Sequence, residues 1–152
     1  MNKIPLNTSA VAVIALTTIN GAPKTLLLKR VKGSFWRHVS GSVEGNETAL
    51  QAVLREFKEE TGVSVDNLYF ADYIEQFYEP HKNWIRLVPI FVVLLANDTE
   101  IFMNEEHTEY RWCSLDEAKS LVPFPNQRAV YDHVWEVFVK NKPSELMRLE
   151  IS

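Results

Sequence analysis

The chain predicts an α/β fold in which a mixed sheet is covered by helices on both faces, and three features carry that expectation. β-prone segments are interleaved with helical ones along the 152 residues, an order that stacks helices on a sheet. Strand pairs are joined by tight turns, Asn20-Gly21 being the strongest, so antiparallel neighbours enter the same sheet. A helix with an apolar stripe is bounded by Thr48 and Gly62, residue types suited to start and to stop it.

In chain order, Ala10–Ile19 is rich in Val, Ile and Ala and reads as a strand ending at the Asn20-Gly21 turn. Residues 25–31 form a second strand, apolar through Leu26-Leu27-Leu28 and ending in Lys29-Arg30. Residues 32–38 read as a polar loop containing Phe35 and Trp36, and residues 39–43 as a short extended piece. The helix runs over Ala49–Thr61, with Ala49, Ala52, Val53 and Phe57 on its apolar side. Residues 68–78 and 84–96 are two long β-prone segments around an intervening loop, and Asn97-Asp98 turns the chain again. A short strand over 110–113 leads into Ser114-Leu115-Asp116-Glu117, which reads as a capping box for a short helix ended by Pro123 and Pro125. Asn126 is then expected to cap a last helix to about residue 140, with Val130, Val134, Val137 and Phe138 on one side.

With 46 % apolar and 24 % charged residues, the chain reads as one globular domain over residues 1–152, long enough to bury its own core. A net charge of −4 offers no general attraction for nucleic acid or an anionic membrane. The single cysteine, Cys113, excludes an intrachain disulfide and a cysteine-based metal site, and its apolar setting predicts a buried small hydrophobe. The apolar run over 89–96 falls far short of the roughly 20 residues of a membrane-spanning helix. No N-terminal stretch joins basic residues to a long apolar core and a small-residue cleavage site. A cytoplasmic protein is therefore expected.

The chemistry is concentrated in residues 41–63, GSVEGNETALQAVLREFKEETGV. On the helix, positions three and four apart share a face, so Glu56, Glu59 and Glu60 project together. Carboxylates crowded in this way repel one another unless a cation sits among them. Hard oxygen donors in that number suit Mg2+ or Mn2+. A solvated charged helix face is the ordinary reading of a lone E-x-x-E-E. Here nine fixed positions agree over twenty-three residues: Gly41, Glu47, Arg55, Glu56, Phe57, Glu59, Glu60, Gly62 and Val63.

Those positions match G-x5-E-x7-R-E-U-x-E-E-x-G-U, where U is bulky and apolar, and on them the chain resembles the Nudix hydrolases. Phe57 fills a U position more often held by an aliphatic residue. The resemblance implies an α/β/α sandwich and a metal-dependent hydrolase of phosphoric anhydride bonds. It implies that Glu56, Glu59 and Glu60 ligate the metal, with the backbone carbonyl of Ser40 as a further ligand. Arg55 is expected to orient the carboxylates and Glu47 to lie behind them. The run over 104–112, N-E-E-H-T-E-Y-R-W, implies a general base at Glu106, with Glu105 the runner-up and a solvated acidic loop the plain alternative. Glu59 is the other glutamate expected to be catalytic. His107 is expected to be a loop or structural residue, with the base as the alternative. Phe35-Trp36-Arg37-His38-Val39-Ser40-Gly41-Ser42-Val43-Glu44 departs from the Pro-Gly-Gly entry of most members. It is similar to dihydroneopterin triphosphate pyrophosphatases and related dATP pyrophosphohydrolases, as is Asn126-Gln127-Arg128-Ala129.

Arg30, at a strand end, is a candidate phosphate contact or an ordinary surface charge; His38, Lys82 and Arg86 are weaker candidates. Asn126 lies where a related enzyme places an Asn at the ring of its substrate, and its amide would satisfy one donor and one acceptor there; the alternative is a plain helix cap. Trp36, Phe35, Tyr78 and Phe124 are aromatic candidates for stacking, each with a core role as the alternative. The expected partner is a small nucleoside or pterin triphosphate, with no nucleic acid and no membrane. Two other readings stand beside it. One keeps the chemistry on ADP-ribose, a dinucleoside polyphosphate or a capped RNA end. The other is a ligand-sensing module without catalysis, which calls for a decayed box, whereas every metal glutamate is present here.

Overall fold

The computed structural model describes residues 2–151. In chain order its elements are β1 (Leu6–Asn7), β2 (Ala10–Ile19), β3 (Ala22–Arg30), β4 (Trp36–Arg37), β5 (Val39–Ser42), α1 (Ala49–Thr61), β6 (Leu68–Glu79), β7 (Trp84–Leu94), β8 (His107–Cys113), α2 (Leu115–Leu121), α3 (Pro125–Val134) and β9 (Arg148–Leu149). The nine strands form one mixed sheet with the path β4-β3-β2-β7-β6-β9, to which β1, β5 and β8 add. Among the described residues no helix is long and apolar enough to cross a membrane.

β2 explains the layering. Residues 12–16 pair in parallel with 90–94 of β7, while on the opposite edge residues 10–13 pair with β5 and 16–19 with β3. Such a central strand is covered on both faces, which is why it reads as a continuous apolar run. Its alternation sends Val11, Val13 and Ala15 to the side of Ala52, Val53 and Phe57 on α1. Ala12, Ile14 and Leu16 go to the side of Val130, Tyr131 and Val134 on α3. This is the expected sandwich. Each fully buried Val, Leu, Ile or Phe contributes about 1.5–3 kcal/mol. Phe57 has no exposed surface, and truncating it to Ala would cost about 3–5 kcal/mol and loosen α1 from the sheet.

The turn at Asn20-Gly21 is as expected, with φ of 53° and 79°, the left-handed pair a tight hairpin between right-twisted strands requires. Cys113 is buried, and burial pushes its thiol up to about 11, so it is inert at neutral pH.

Several boundaries differ from the sequence reading. β3 begins at Ala22 instead of residue 25 because the hairpin pairs right up to the turn. Trp36 and Arg37, expected in a loop, pair with Lys29 and Leu28. β8 begins at His107 instead of residue 110, because the outer edge of β3 offers partners as far as Arg30. β1 and β9 are two residues each, too short to show a period. Ser114 does accept from the Glu117 amide at 3.2 Å, but the Glu117 carboxylate faces Arg111 at 3.5 Å and does not complete a capping box. Asn126 is not the cap of α3. Phe124 holds that position, Pro125 opens the helix, and Gln127 accepts from the Phe124 amide at 3.2 Å. α3 then passes into a π-helical turn over Trp135–Val139.

Candidate active site

The site begins with the reasons α1 starts and stops where it does. Thr48 accepts from the Gln51 amide at 3.2 Å while Gln51 accepts from the Thr48 amide at 2.9 Å, a reciprocal cap. At the other end Gly62, at φ 76°, donates its amide to Lys58. Between those ends Arg55 gathers the acidic residues. Its Nε and Nη2 donate to the two carboxylate oxygens of Glu47 at 2.7 and 2.9 Å. Nη2 also donates to the Ser42 carbonyl at 2.7 Å, and Nη1 donates to Glu56 at 2.8 Å and to Glu59 at 3.4 Å. The guanidinium fork is shaped for such bidentate pairing. Arg55 hydrogen bonds, then the Glu44 amide, hold the Glu47 carboxyl at about 2. Those same carboxylates raise the Arg55 pKa above its ordinary value, the Glu47 hydrogen bonds first.

Glu56 leans over Gly41, where a Cβ would overlap its carboxyl group. That close approach explains the fixed glycine at the entry to the helix. Glu56 in turn meets Glu60, one turn along. Glu60 is 4 % exposed, and burial first, then its hydrogen bond with Glu56, pushes its carboxyl up to about 9. Its Oε2 is buried without a partner. The His107 Nε2 lies 3.5 Å from Glu60 Oε1. Burial lowers the His107 pKa, so with Glu60 protonated this contact joins two neutral groups and is no ion pair. Donor atoms from Glu60, Glu106 and His107 all lie within 4.8 Å of one another.

A divalent cation fits this donor set. Oxygen and imidazole donors converge, one buried carboxylate oxygen has nothing to bind, and a cation there would let Glu60 ionise beside Glu56. The three box glutamates are brought to one place, though unequally. Glu56 is 13 % exposed at its side chain, while Glu59 is 53 % exposed and reaches the cluster through Arg55. Ser40 lies on β5 opposite Ala12, and its hydroxyl accepts from Arg37. Glu106 is brought to Glu60 because its carbonyl accepts from the Val31 amide at 2.9 Å, tying the loop to the end of β3. Among the described residues Glu105 joins no such group.

Arg30 ends β3 with a buried Nε lacking a partner, and its charge acts on Arg37 and His107. Asn126, in the first turn of α3, leaves its amide without a capping duty. The weaker basic candidates are otherwise engaged. His38 is buried, bonded through Nδ1 to the Tyr131 hydroxyl at 2.8 Å, and burial lowers its pKa to about 3. Arg86 pairs with Glu79 at 3.5 Å, and Lys82 lies over Trp84. Trp36 is in the core, whereas Phe35, Tyr78 and Phe124 are exposed. A 770 Å³ surface hollow lined by Thr17, Asn20, Leu95 and others has no titratable side chain in its walls.

Two charged residues went unread in the sequence: Arg37, whose charge acts on Glu60, and Glu75, on which Arg37 also acts. The available signal for Glu75 was its place in β6, as the one charge in the inward set Tyr69, Ala71, Tyr73, Glu75 and Phe77. Exposed Phe70, Ile74 and Tyr78 on the other face hid that alternation.

A family model described as a NUDIX domain matches residues 7–134. The asymmetrical bis(5'-nucleosyl)-tetraphosphatase of Sus scrofa is 34 % identical over 117 residues, covering 73 % of this chain and 78 % of its own. The dihydroneopterin triphosphate diphosphatase of Escherichia coli K12 is 27 % identical over 144 residues, covering 82 % and 91 %. Among solved structures, the Caenorhabditis elegans Ap4A hydrolase in a binary complex superposes with a TM-score of 0.78 at 21 % identity, over 89 % of this chain and 100 % of that one. The E. coli dihydroneopterin triphosphate pyrophosphohydrolase superposes with a TM-score of 0.69 at 25 % identity, over 83 % and 96 %.

Proposed function

This chain belongs to the Nudix family of pyrophosphate-bond hydrolases, and on that premise we propose that it hydrolyses a nucleoside triphosphate or dihydroneopterin triphosphate to a monophosphate and pyrophosphate. The observation that carries the reading is Glu60, buried, with an unpartnered oxygen, facing Glu106 and His107 beside an Arg55-held Glu56. Glu56, Glu59, Glu60 and the Ser40 carbonyl would hold the divalent cation, Mg2+ or Mn2+, which when bound supplies positive charge to the phosphate oxygens. The remaining work falls to the chain. Arg55 fixes the rotamers of Glu47, Glu56 and Glu59, so the carboxylates are oriented before substrate arrives. Arg30 presents its guanidinium to the phosphate chain, and Asn126 presents its amide to the ring. Glu106 takes a proton from the attacking water as the water oxygen bonds to phosphorus, and the bridging P–O bond breaks to release pyrophosphate. The reaction belongs to the cytoplasm, on small molecules.

A second reading, hydrolysis of a dinucleoside polyphosphate, draws support from the 34 % identity with the Sus scrofa enzyme. Pyrophosphate release measured with magnesium across dNTPs, dihydroneopterin triphosphate and Ap4A separates them. Turnover of triphosphates above Ap4A is expected, and the reverse order moves the assignment to the second reading.

A further inference from the structure

Arg37 links the carboxylate cluster to a second, buried charge, acting on both Glu60 and Glu75 without pairing with Glu75. Glu75 is 7 % exposed, and its Oε2 is buried without a hydrogen-bond partner. Arg37, on β4, is the charged group that acts on Glu75 to stabilise its ionised form, against the burial that favours its neutral form. Among the described residues the two form no ion pair with each other, and the Arg37 Nε is also buried without a partner. Arg37 donates through Nη2 to the Ser40 hydroxyl, and the charges of Arg30 and Glu60 act on it with that of Glu75, but none of these supplies a partner for the Arg37 Nε or the Glu75 Oε2. Tyr131, whose charge state both residues influence, is bonded to His38, and burial keeps both of those groups uncharged. A buried donor and a buried acceptor left apart are costly unless something enters to satisfy both.

The group that satisfies both is a ring edge with a carbonyl beside a ring N–H and an exocyclic amino group. The carbonyl accepts from Arg37, and the two N–H donors meet the two oxygens of a carboxylate. Guanine and the pterins carry that edge. Adenine carries the opposite one, with a ring lone pair that would face Glu75 and an amino donor that would face Arg37.

We propose that Arg37 and Glu75 are the specificity pair of this enzyme, selecting rings with the 2-amino-4-oxo pattern over adenine. The inference rests on the triphosphate reading above and assigns the ring that reading leaves open.

The test compares wild type with Glu75→Gln and Glu75→Ala on GTP, ATP and dihydroneopterin triphosphate, with melting curves to establish folding. Wild type should favour the better of GTP and dihydroneopterin triphosphate over ATP by on the order of 10²-fold in kcat/KM, the scale of discrimination when buried polar groups are left unmatched. Glu75→Gln should erase most of that ratio, raising KM for GTP and dihydroneopterin triphosphate far more than for ATP. The preferred member of the GTP and dihydroneopterin triphosphate pair identifies the source of the shared edge. A wild type that takes ATP as well as either, or a variant that slows all three equally, overturns the proposal and leaves Glu75 a structural residue. A binding arm without turnover keeps the two readings separable. If no triphosphate is hydrolysed, GMP binding tighter than AMP in wild type but not in Glu75→Gln still upholds the ring assignment, and equal binding of GMP and AMP overturns it.

Discussion

Arg55 and Arg37 stand in the same site under opposite conditions. Arg55 is 22 % exposed at its side chain and donates to three carboxylates and a carbonyl. Arg37 is enclosed enough that burial lowers its pKa, and its Nε has no acceptor. The difference separates two kinds of preorganisation. Around Arg55 the hydrogen bonds are complete before any ligand arrives, so that half of the site is a scaffold for carboxylates. Around Arg37, as around the Glu60 oxygen, polar atoms wait for a partner, which marks the surfaces a ligand is expected to meet.

If that contrast holds, variants in the waiting half should damage rate most. Glu106→Gln should lower kcat by roughly 10²–10⁴-fold with KM nearly unchanged, the usual worth of a general base. Glu105→Gln should do much less, and single-residue kinetics that cripple the Glu105 variant instead would shift the role by one position. Glu59 is held by Arg55 but is 53 % exposed at its side chain and stands at the border of the two halves; Glu59→Gln should lower turnover on the order of 10²-fold, as for loss of an electrostatic stabiliser, with the circular dichroism spectrum unchanged. Wild-type-like activity would remove Glu59 from the ligand set.

Gly41→Ala probes the contact between the two halves. Its Cβ needs the volume occupied by the Glu56 carboxyl, so cation binding should weaken by more than about tenfold while melting shifts only slightly. Calorimetric titration with Mn2+ would read this, and an unchanged affinity would show that Glu56 need not lie where it does.

The smallest effect belongs to the completed scaffold. The Glu47 carboxyl is held at about 2, below its ordinary 4.5, by Arg55. A carboxyl depressed on folding contributes stability that is present above pH 4.5 and is lost as pH falls toward 2. Wild type should therefore melt slightly above Glu47→Gln at neutral pH, with the gap closing across that window. A gap independent of pH would assign the difference to packing.

The scaffold half was also the half legible in the sequence. Arg55, the three glutamates, Glu47 and the flanking glycines lie within one helix and its caps, where spacing in sequence fixes spacing in space. The layered fold was legible for a similar reason, since α1 carries a clear helical period and β2 is a continuous apolar run ending at a tight turn. Arg37 and Glu75 are far apart in the chain, and the charge of Arg37 reaches Glu75 only through the folding of β4 and β6 into one sheet, which no local pattern encodes. Asn126 shows the limit at an element end. Its residue type is a good cap, but Pro125 opens α3 behind a Phe124 cap, two residues earlier than an Asn126 cap would. His107 reads as a loop residue, and pairing with Arg30 makes it the first residue of β8, turned toward Glu60.

Cation-dependent cleavage within the phosphate chain is read out by phosphorus NMR of the products. With magnesium and a triphosphate carrying the preferred ring, equal amounts of pyrophosphate and monophosphate are expected, and no reaction once EDTA is in excess. Orthophosphate as the product, or turnover that survives exhaustive chelation, would contradict it.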